Sequence, residues 1–346
     1  MDDALSPSQP GDGSETSLPE ILRKLAYTAF IVGGLFVVME MVLAGRAPPP
    51  PEAPTREGAG EDAMRSSEAL GWAPVPGESA AFGVPEPTFH NDAGTRNPPF
   101  QPKTSGTKRL LTLGDSTVYG VLVADAEVFG AVAARALSEA LGLPVEAING
   151  GVPGYSSEQA RLLYGASLRE TEPDWVVIAT LWSDTQNAVV SDRARYVDGR
   201  DRVRRALSRL ATFRWLEREL SDRRDAREVA WTLTPGSGRY RVMPAAYRDN
   251  LEALADLARE DGAEPVFLWL PSVRDLREQA LEEPRPAYRE IMRTVADEQG
   301  ALWVDGATPF RGGEAGLLLD DVHPSAAGHA RLGEVLARAI AGAEVP

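Results

Sequence analysis

Ser116, His323 and Asp320 are side chains of the three types that together carry out nucleophilic catalysis in serine enzymes. Ser116 closes the short segment Gly114-Asp115-Ser116, and Asp320 and His323 both lie in the segment DDVHP. A serine hydroxyl is a poor nucleophile at neutral pH unless a base accepts its proton, and a histidine base needs a carboxylate to fix its tautomer. Ser116, His323 and Asp320 have the chemistry for these three roles.

Nucleophilic attack on a carbonyl also requires donors for the negative charge that develops on its oxygen. The segment Asn149-Gly150-Gly151-Val152-Pro153-Gly154 contains three glycines, which have no side chain to keep a ligand away from the backbone N–H groups. We therefore expect the backbone amides of Ser116 and Gly151 to supply two of these donors.

The neighbouring acid and the other two histidines have simpler interpretations. Asp321 is expected to be an exposed loop acid, although an exchange of roles with Asp320 stays open. His329 lies at the start of the last predicted helix and is expected to pack there, and His90 is expected on the surface or in a turn. Because the chain contains no cysteine, disulfides, cysteine–zinc sites and thiol catalysis are excluded. We expect no cofactor and no metal.

Short apolar runs alternate with amphipathic stretches from Lys108 onward, which predicts strands alternating with helices. This pattern is typical of a three-layer α/β/α fold, and we expect a flavodoxin-like parallel sheet of about five strands. Ligands of such sheets bind at the carboxyl ends of the strands, where the candidate residues lie. The predicted strands are 109–113, 144–148, 174–182, 264–270 and 301–304, and the main predicted helices are 128–142, 245–261 and 287–300.

One long insertion interrupts this alternation, at residues 188–243 between the third and fourth predicted strands. It is rich in arginine and predicted to be helical, and its leucines at 207, 210, 216 and 220 are spaced for one buried stripe. Charge runs on helices usually form a solvated face with ion pairs. A cap over the site that attracts anionic substrates is the alternative.

The N-terminal part of the chain has a different composition. Residues 1–24 are rich in Ser, Pro, Gly and acids and predict a disordered tail. Residues 25–45 provide about the 20 apolar residues that cross a bilayer as a helix, with Glu40 as an interruption. Residues 46–87 are rich in proline and glycine and predict a spacer, which leaves 88–346 as the catalytic domain.

The apolar segment has two interpretations, a membrane anchor and a cleavable signal peptide. Ala44, Gly45 and Ala47 are small enough for a peptidase. The apolar part of a signal peptide is usually about 7 to 15 residues, which is shorter than the segment here. We therefore predict an uncleaved transmembrane anchor.

The overall charge argues against one class of partner. Lysine and arginine total 36 and aspartate and glutamate 51, so the net charge is −15. Such a chain has no general affinity for the phosphates of nucleic acids. We expect no nucleic-acid partner.

Three segments of the sequence resemble conserved blocks of the SGNH (GDSL) hydrolases. LGDSTVYG, INGGVPGYSS and DDVHP are similar to the first, second and fifth blocks of that family. The resemblance implies that Ser116 is the nucleophile, Gly151 an oxyanion donor, and Asp320 and His323 the acid and base. The plan of the chain is similar to that of membrane-anchored bacterial members, which implies a single-pass membrane protein whose catalytic domain is periplasmic or at the cell surface.

The third block departs from the family pattern. Where the family has GxND, this chain has Leu181-Trp182-Ser183-Asp184, so Ser183 stands at the position of the asparagine. A hydroxyl donates a single hydrogen bond and reaches less far than an amide. Ser183 is therefore the candidate third oxyanion donor, with Asn187 as the alternative in the following turn.

These observations predict a serine esterase that hydrolyses small acyl or acetyl esters. Its substrate would be an ester-bearing small molecule, glycan or lipid, with glycans and lipids of the cell envelope among the candidates, and the membrane is contacted through residues 25–45. Two alternatives stay open at this point. One is an O-acyltransferase acting on an envelope polysaccharide, and the other is an inactive carbohydrate-binding module with the same fold.

Overall fold

The computed structural model describes residues 18–46, 63–67, 69–188, 191–196, 207, 209–216, 219–220, 239–282 and 284–344. Most of the predicted tail, the first part of the predicted linker and much of the insertion lie outside the described residues. The strands are β1 (Met64–Ser67), β2 (Gly71–Pro74), β3 (Gly77–Ser79), β4 (Thr88–His90), β5 (Lys108–Gly114), β6 (Val145–Gly151), β7 (Trp175–Ala179), β8 (Asn187–Ala188), β9 (Arg239–Tyr240), β10 (Glu264–Trp269) and β11 (Leu302–Asp305).

The α-helices that form the domain and precede it are numbered in chain order. They are α1 (Leu18–Ala44), α2 (Ser116–Tyr119), α3 (Phe129–Leu141), α4 (Ser157–Ala166), α5 (Asp192–Arg195), α6 (Pro244–Glu260), α7 (Val273–Leu276), α8 (Arg285–Glu298) and α9 (Ala326–Glu344).

The central sheet has five parallel strands in the order β11-β10-β7-β5-β6. This is the flavodoxin-like order, and the predicted fold is confirmed. The three inner strands are continuous apolar runs because helices cover both faces of the sheet. The third strand ends at Ala179, three residues earlier than predicted, which places Trp182 in the loop that follows it.

Two layers of helices enclose this sheet. Helices α3 and α9 pack together on one face, and α4, α6 and α8 pack as a second group on the other. The helix ends follow local chemistry. Helix α4 begins with a capping box, in which the Ser156 amide donates to Gln159 Oε1 at 3.1 Å. Helix α3 ends at Gly142, whose φ of 65° suits a residue without a side chain.

The N-terminal boundary of the domain differs from the predicted one. Residues 63–87 were predicted as part of a linker, but they form β1, β2 and β3, and β3 pairs with β4 in an antiparallel pair. Trp72 Nε1 donates to Pro153 O at 3.0 Å, and Gln159 Nε2 donates to Leu70 O at 2.6 Å. This segment therefore packs on the loop after β6 and on α4, and the described residues from 63 onward are part of the folded domain.

Helix α1 precedes the domain. Its stretch Leu22–Ala44 is long and apolar enough to cross a membrane, close to the predicted span 25–45. By length and composition it fits either an anchor or a signal sequence. The Glu40 carboxylate near its end accepts hydrogen bonds from the Ala211 and Thr212 amides of the insertion at 2.7 and 2.8 Å.

The described part of the insertion is less buried than predicted. Residues 211–216 are helical, and β8 and β9 form a short antiparallel pair at the base of the insertion. Leu207, Leu216 and Leu220 are exposed, so the predicted buried leucine stripe is wrong at these positions. A regular spacing of leucines does not by itself provide a surface to cover them.

Candidate active site

Ser116 lies at the carboxyl end of β5, as the first residue of α2. The turn before it is made tight by Gly114, where a Cβ would lie 2.4 Å from the carbonyl oxygen of Ala179. Asp115 caps the helix, because its Oδ1 accepts from the Thr117 amide at 3.0 Å. The strand, the glycine and the cap together place the serine hydroxyl at the edge of the sheet.

The three candidate catalytic side chains form a continuous hydrogen-bonded chain. Ser116 Oγ lies 2.8 Å from His323 Nε2, and His323 Nδ1 lies 2.6 Å from Asp320 Oδ2. A carboxylate can only accept, so the proton is on Nδ1 and Nε2 is left to accept from the serine hydroxyl. This is the arrangement that transfers a proton from a serine to a histidine.

Local backbone contacts hold Asp320 in place. Its Oδ1 accepts from the amides of Val322 and His323 at 2.9 and 2.8 Å. Partial burial alone would raise the pKa of Asp320, but these hydrogen bonds and the one from the His323 ring more than offset it and hold the pKa below its ordinary value. The carboxylate therefore stays charged at neutral pH.

Asp321, the alternative acid, lies elsewhere. It is exposed, and its carbonyl oxygen accepts from the Val273 amide at 2.8 Å. The structure brings Asp320, rather than Asp321, against the His323 ring.

The other two histidines are distant from this chemistry. His329 is buried and stacks on Phe129, whose amide donates to His329 Nδ1 at 3.3 Å, and burial lowers the pKa of His329 to about 3. His90 was expected on the surface, but it is fully buried and its Nε2 lies 2.9 Å from the Tyr119 hydroxyl. The reason is that the N-terminal segment is part of the domain and β4 lies inside it.

The candidate oxyanion donors differ in how free they are. No described backbone acceptor takes the Ser116 amide, which lies in the first turn of α2. The Gly151 amide donates to Asn149 Oδ1 at 2.9 Å, and a Cβ on Gly151 would lie 2.3 Å from the Tyr119 nitrogen. Gly151 thus permits close packing of β6 on α2, and its amide is already engaged.

Gly154 is one of the glycines of the predicted ligand-approach segment, but the sequence assigned the donor role to Gly151 instead. It lies in a turn in which the Tyr155 amide donates to Val152 O at 3.0 Å, and its φ is +80°. Its carbonyl oxygen accepts from Arg241 Nη1 at 2.7 Å, and its amide donates to no backbone acceptor among the described residues. The last glycine of INGGVPGYSS was the available signal for this residue.

Ser183 and Asp184, the residues at the position of the family's third block, are both buried. Burial raises the pKa of the Asp115 carboxyl, and hydrogen bonds from the backbone amides of Thr117 and Ser183 partly offset this rise. Burial raises the pKa of Asp184 to about 7, although its Oδ1 accepts from the Ser157 amide at 2.9 Å. Asn187 is exposed in β8, where its backbone pairs with Tyr240.

Metal ligation has no evident site in the described part of the chain. No group of three or more His, Asp or Glu residues is clustered there in a way that could hold a metal ion.

Residues 112–331 match the GDSL-like lipase/acylhydrolase family. No curated protein matches the chain. Among solved structures, the chain is similar to LAE5, an alpha/beta hydrolase enzyme from the metagenome of Lake Arreo, at 18% identity over 68% of this chain and 94% of that one, with a TM-score of 0.44.

Two further structures give similar values. The lipase/acylhydrolase from Enterococcus faecalis is 18% identical over 68% of this chain and 96% of that one, with a TM-score of 0.44. The acetylxylan esterase Axe2 from Geobacillus stearothermophilus is 18% identical over 67% of this chain and 94% of that one, with a TM-score of 0.44. The family match spans more than half of the sequence and includes the region from β5 to the start of α9. The chain belongs to the GDSL-like lipase/acylhydrolase family.

Proposed function

We propose that Ser116, His323 and Asp320 are the catalytic triad of this ester-hydrolysing enzyme. The observation that carries the proposal is the continuous pair of contacts, 2.8 Å from Ser116 to His323 and 2.6 Å from His323 to Asp320. The serine has a base within hydrogen-bonding distance, and the base has a carboxylate that fixes its tautomer.

The reaction then proceeds through an acyl-enzyme. Ser116 Oγ attacks the ester carbonyl while His323 Nε2 takes its proton, and Asp320 stabilises the imidazolium. His323 returns this proton to the oxygen of the leaving alcohol as the C–O bond breaks. Water, deprotonated by His323 Nε2, then attacks the acyl-enzyme, and His323 gives this proton to Ser116 Oγ as the acyl–oxygen bond breaks and the acid is released.

The oxyanion is stabilised in this proposal by the Ser116 amide and one amide from the end of β6 or the loop that follows it. The sequence favours Gly151 for the second donor, whose amide would have to leave Asn149 Oδ1. Gly154 is the alternative in the same loop, since its amide has no backbone acceptor among the described residues. Ser183 is the proposed side-chain donor, in the place of the family asparagine.

Hydrolysis is favoured over acyl transfer by the openness of the site. The Asp320 side chain is 52% exposed and that of His323 is 22% exposed, so water reaches the base directly. An acyltransferase must keep water from the acyl-enzyme. The intact Ser116–His323 contact likewise supports an active enzyme over an inactive binding module.

The proposed substrates are small acyl or acetyl esters on glycans or lipids of a bacterial cell envelope. Support comes from α1, which is apolar enough to hold the domain at a membrane. In this proposal α1 is uncleaved and the domain lies outside the cytoplasm.

The test is labelling with a fluorophosphonate, which reacts with activated serines, followed by mass spectrometry. The label is expected on Ser116, and hydrolysis of p-nitrophenyl acetate is expected to stop when Ser116 is labelled or replaced by Ala. Ser66→Ala, a change at an exposed serine of β1, is the matched control and should behave like the unchanged protein. Absence of label on a folded, Ser116-containing chain would refute the nucleophile.

A further inference from the structure

Arg285 occupies an electrostatically unfavourable position. It is the first residue of α8, and helix N-termini carry partial positive charge, so a cation is disfavoured there. Its side chain is also partly buried, and this burial lowers the pKa of Arg285 from its ordinary value. A residue placed against both tendencies needs another reason to be there.

No described residue neutralises this guanidinium by an ion pair or a side-chain hydrogen bond. Three acids lie near enough to act on it through space. Glu282 is engaged by another arginine. Asp275 accepts from the amide and hydroxyl of Ser272 at 2.9 and 2.7 Å. Asp321 is exposed to solvent, and no hydrogen bond or ion pair joins it to Arg285 among the described residues. The fork of hydrogen-bond donors on Arg285 is therefore available to a ligand.

The guanidinium is nevertheless held in a defined place. Its Cζ lies 4.9 Å from the centroid of the Trp182 ring, a stacking distance for a cation on an aromatic face. Trp182 is itself 8% exposed, so the ring provides a fixed platform. The planar side chain is thus positioned without a partner carboxylate.

This platform borders the candidate active site. Trp182 directly precedes Ser183, whose amide acts on the Asp115 carboxylate beside Ser116. On the other side, the charge of Asp321 acts on Arg285, and Asp321 is adjacent to Asp320 of the proposed triad. Arg285 therefore contacts the loop after β7 through Trp182, and the loop that carries the proposed acid and base is joined to the start of α7 by the hydrogen bond from the Val273 amide to Asp321 O at 2.8 Å.

We infer that Arg285 selects ester substrates that carry a negative charge, a carboxylate or a phosphate, near the scissile bond. The inference rests on the proposed function and concerns substrate class at the same site. A guanidinium binds these groups with two parallel hydrogen bonds, and stacking on Trp182 orients its plane for them. The positive end of α8 adds to the attraction for an anion.

The test compares ester pairs that differ in one charge. On the acyl side, mono-4-nitrophenyl succinate is compared with 4-nitrophenyl butyrate, in which a methyl group replaces the carboxylate. On the alcohol side, an O-acetylated uronic acid and an O-acetylated sugar phosphate are each compared with the corresponding neutral O-acetylated sugar. The unchanged enzyme is expected to have a lower KM for the charged member of at least one pair.

In Arg285→Met, which keeps most of the apolar contact with Trp182, this preference should fall about tenfold or more, because a hydrogen-bonded charge pair is lost. KM for the neutral esters and kcat should stay the same. Arg285→Lys should retain part of the preference, because it keeps the charge and loses the fork. Arg293→Ala, at an exposed arginine on the same helix, is the matched control and should change nothing.

Two outcomes would overturn the inference. The first is an unchanged ratio between charged and neutral esters in folded Arg285→Met for every pair. The second concerns Asp321. If Arg285 binds substrate, Asp321→Asn should increase the preference for anionic esters, because a competing negative charge is removed. An equal loss of that preference in Arg285→Met and Asp321→Asn would mean that Arg285 and Asp321 interact with each other rather than with substrate. Failure of the proposed function would look different, because the unchanged enzyme would then hydrolyse none of the esters.

Discussion

Trp72 connects the N-terminal segment to the loop after β6, which carries the proposed alternative donor Gly154, and its removal should affect both stability and turnover. Its indole Nε1 donates to Pro153 O at 3.0 Å, and its ring meets the Tyr155 ring edge-on at 5.7 Å. A Cβ built on Gly154 would lie 3.1 Å from the same ring, which shows how closely the loop rests on it. Trp72→Ala therefore removes one wall of the loop.

The size of the effect follows from these contacts. Truncating a large buried aromatic side chain costs about 3 to 5 kcal/mol, and Trp72 is only partly buried, so the lower end applies. Loss of the hydrogen bond to Pro153 adds about 1 kcal/mol. The sum of about 4 kcal/mol corresponds to a fall in Tm of roughly 8 to 16 °C for a domain of this size. Because a donor displaced by about 1 Å can cost about 100-fold in rate, kcat should fall at least tenfold.

Thermal unfolding and p-nitrophenyl acetate hydrolysis measure the two effects. Trp72→Phe keeps an aromatic ring but loses the donor, so it should cost only about 1 kcal/mol. Trp303→Ala is the matched control, since Trp303 is also partly buried against the core but lies in the edge strand β11. It should lower the Tm while leaving kcat unchanged.

Shortened chains provide an independent check on the same segment. A chain that begins at residue 62 retains β1 and β2 and should fold and be active, whereas a chain that begins at Ala81 lacks Trp72 and should be less stable. If the two shortened chains have the same Tm and the same kcat, residues 63–80 are a spacer and the reasoning about Trp72 is refuted.

Four further predictions concern the site and the topology. His323→Ala should reduce kcat about as much as loss of the serine, because triad members act as a unit, and substantial residual turnover of p-nitrophenyl acetate would contradict this. Ser183→Ala should lower kcat by up to about 100-fold to 1,000-fold with little change in KM, whereas an effect of Asn187→Ala instead would move the donor role to that residue. Burial raises the pKa of Asp184 to about 7, so the folded state binds an extra proton between about pH 4 and 7 and loses stability as the pH rises through that window. Asp184→Asn should flatten this decline in the free energy of unfolding, measured by denaturant titration at several pH values. An unchanged dependence of stability on pH would contradict the prediction. A reporter fused after Pro346 should be active only outside the cytoplasm, and cytoplasmic activity would reverse the proposed orientation.

Much of the fold was predictable because it depends on local pattern. The inner strands were predictable as mostly apolar runs because helices cover both faces of a parallel sheet, and strands alternating with helices constrain the order of the sheet. The Asp320–His323 pair was predictable for the same reason. Both residues lie in one turn, where the Asp320 carboxylate also accepts the amides of Val322 and His323, so nothing distant is needed to form it.

Residues 63–87 were predicted as a linker although they are part of the domain, and the reason is physical. Proline and glycine predict a spacer, but β1 and β2 are short strands whose partners are each other and a loop far along the chain. Composition does not reveal such contacts. His90 was misplaced with them, because its burial depends on the position of β4.

Tertiary structure decided which polar groups meet. Ser116 and His323 are brought within 2.8 Å by the carboxyl edge of the sheet, although they are 207 positions apart in the chain. The Asn149 side chain, whose Oδ1 accepts from the Gly151 amide, is oriented by donating from Nδ2 to Tyr119 O at 3.1 Å, and Arg285 stacks on Trp182; both contacts join segments that are distant in the chain. The sequence by itself determined which residue types and local turns are present, because these depend on neighbours in the chain. Which donors stay free, and which cation lacks a partner, was decided only when distant segments packed together.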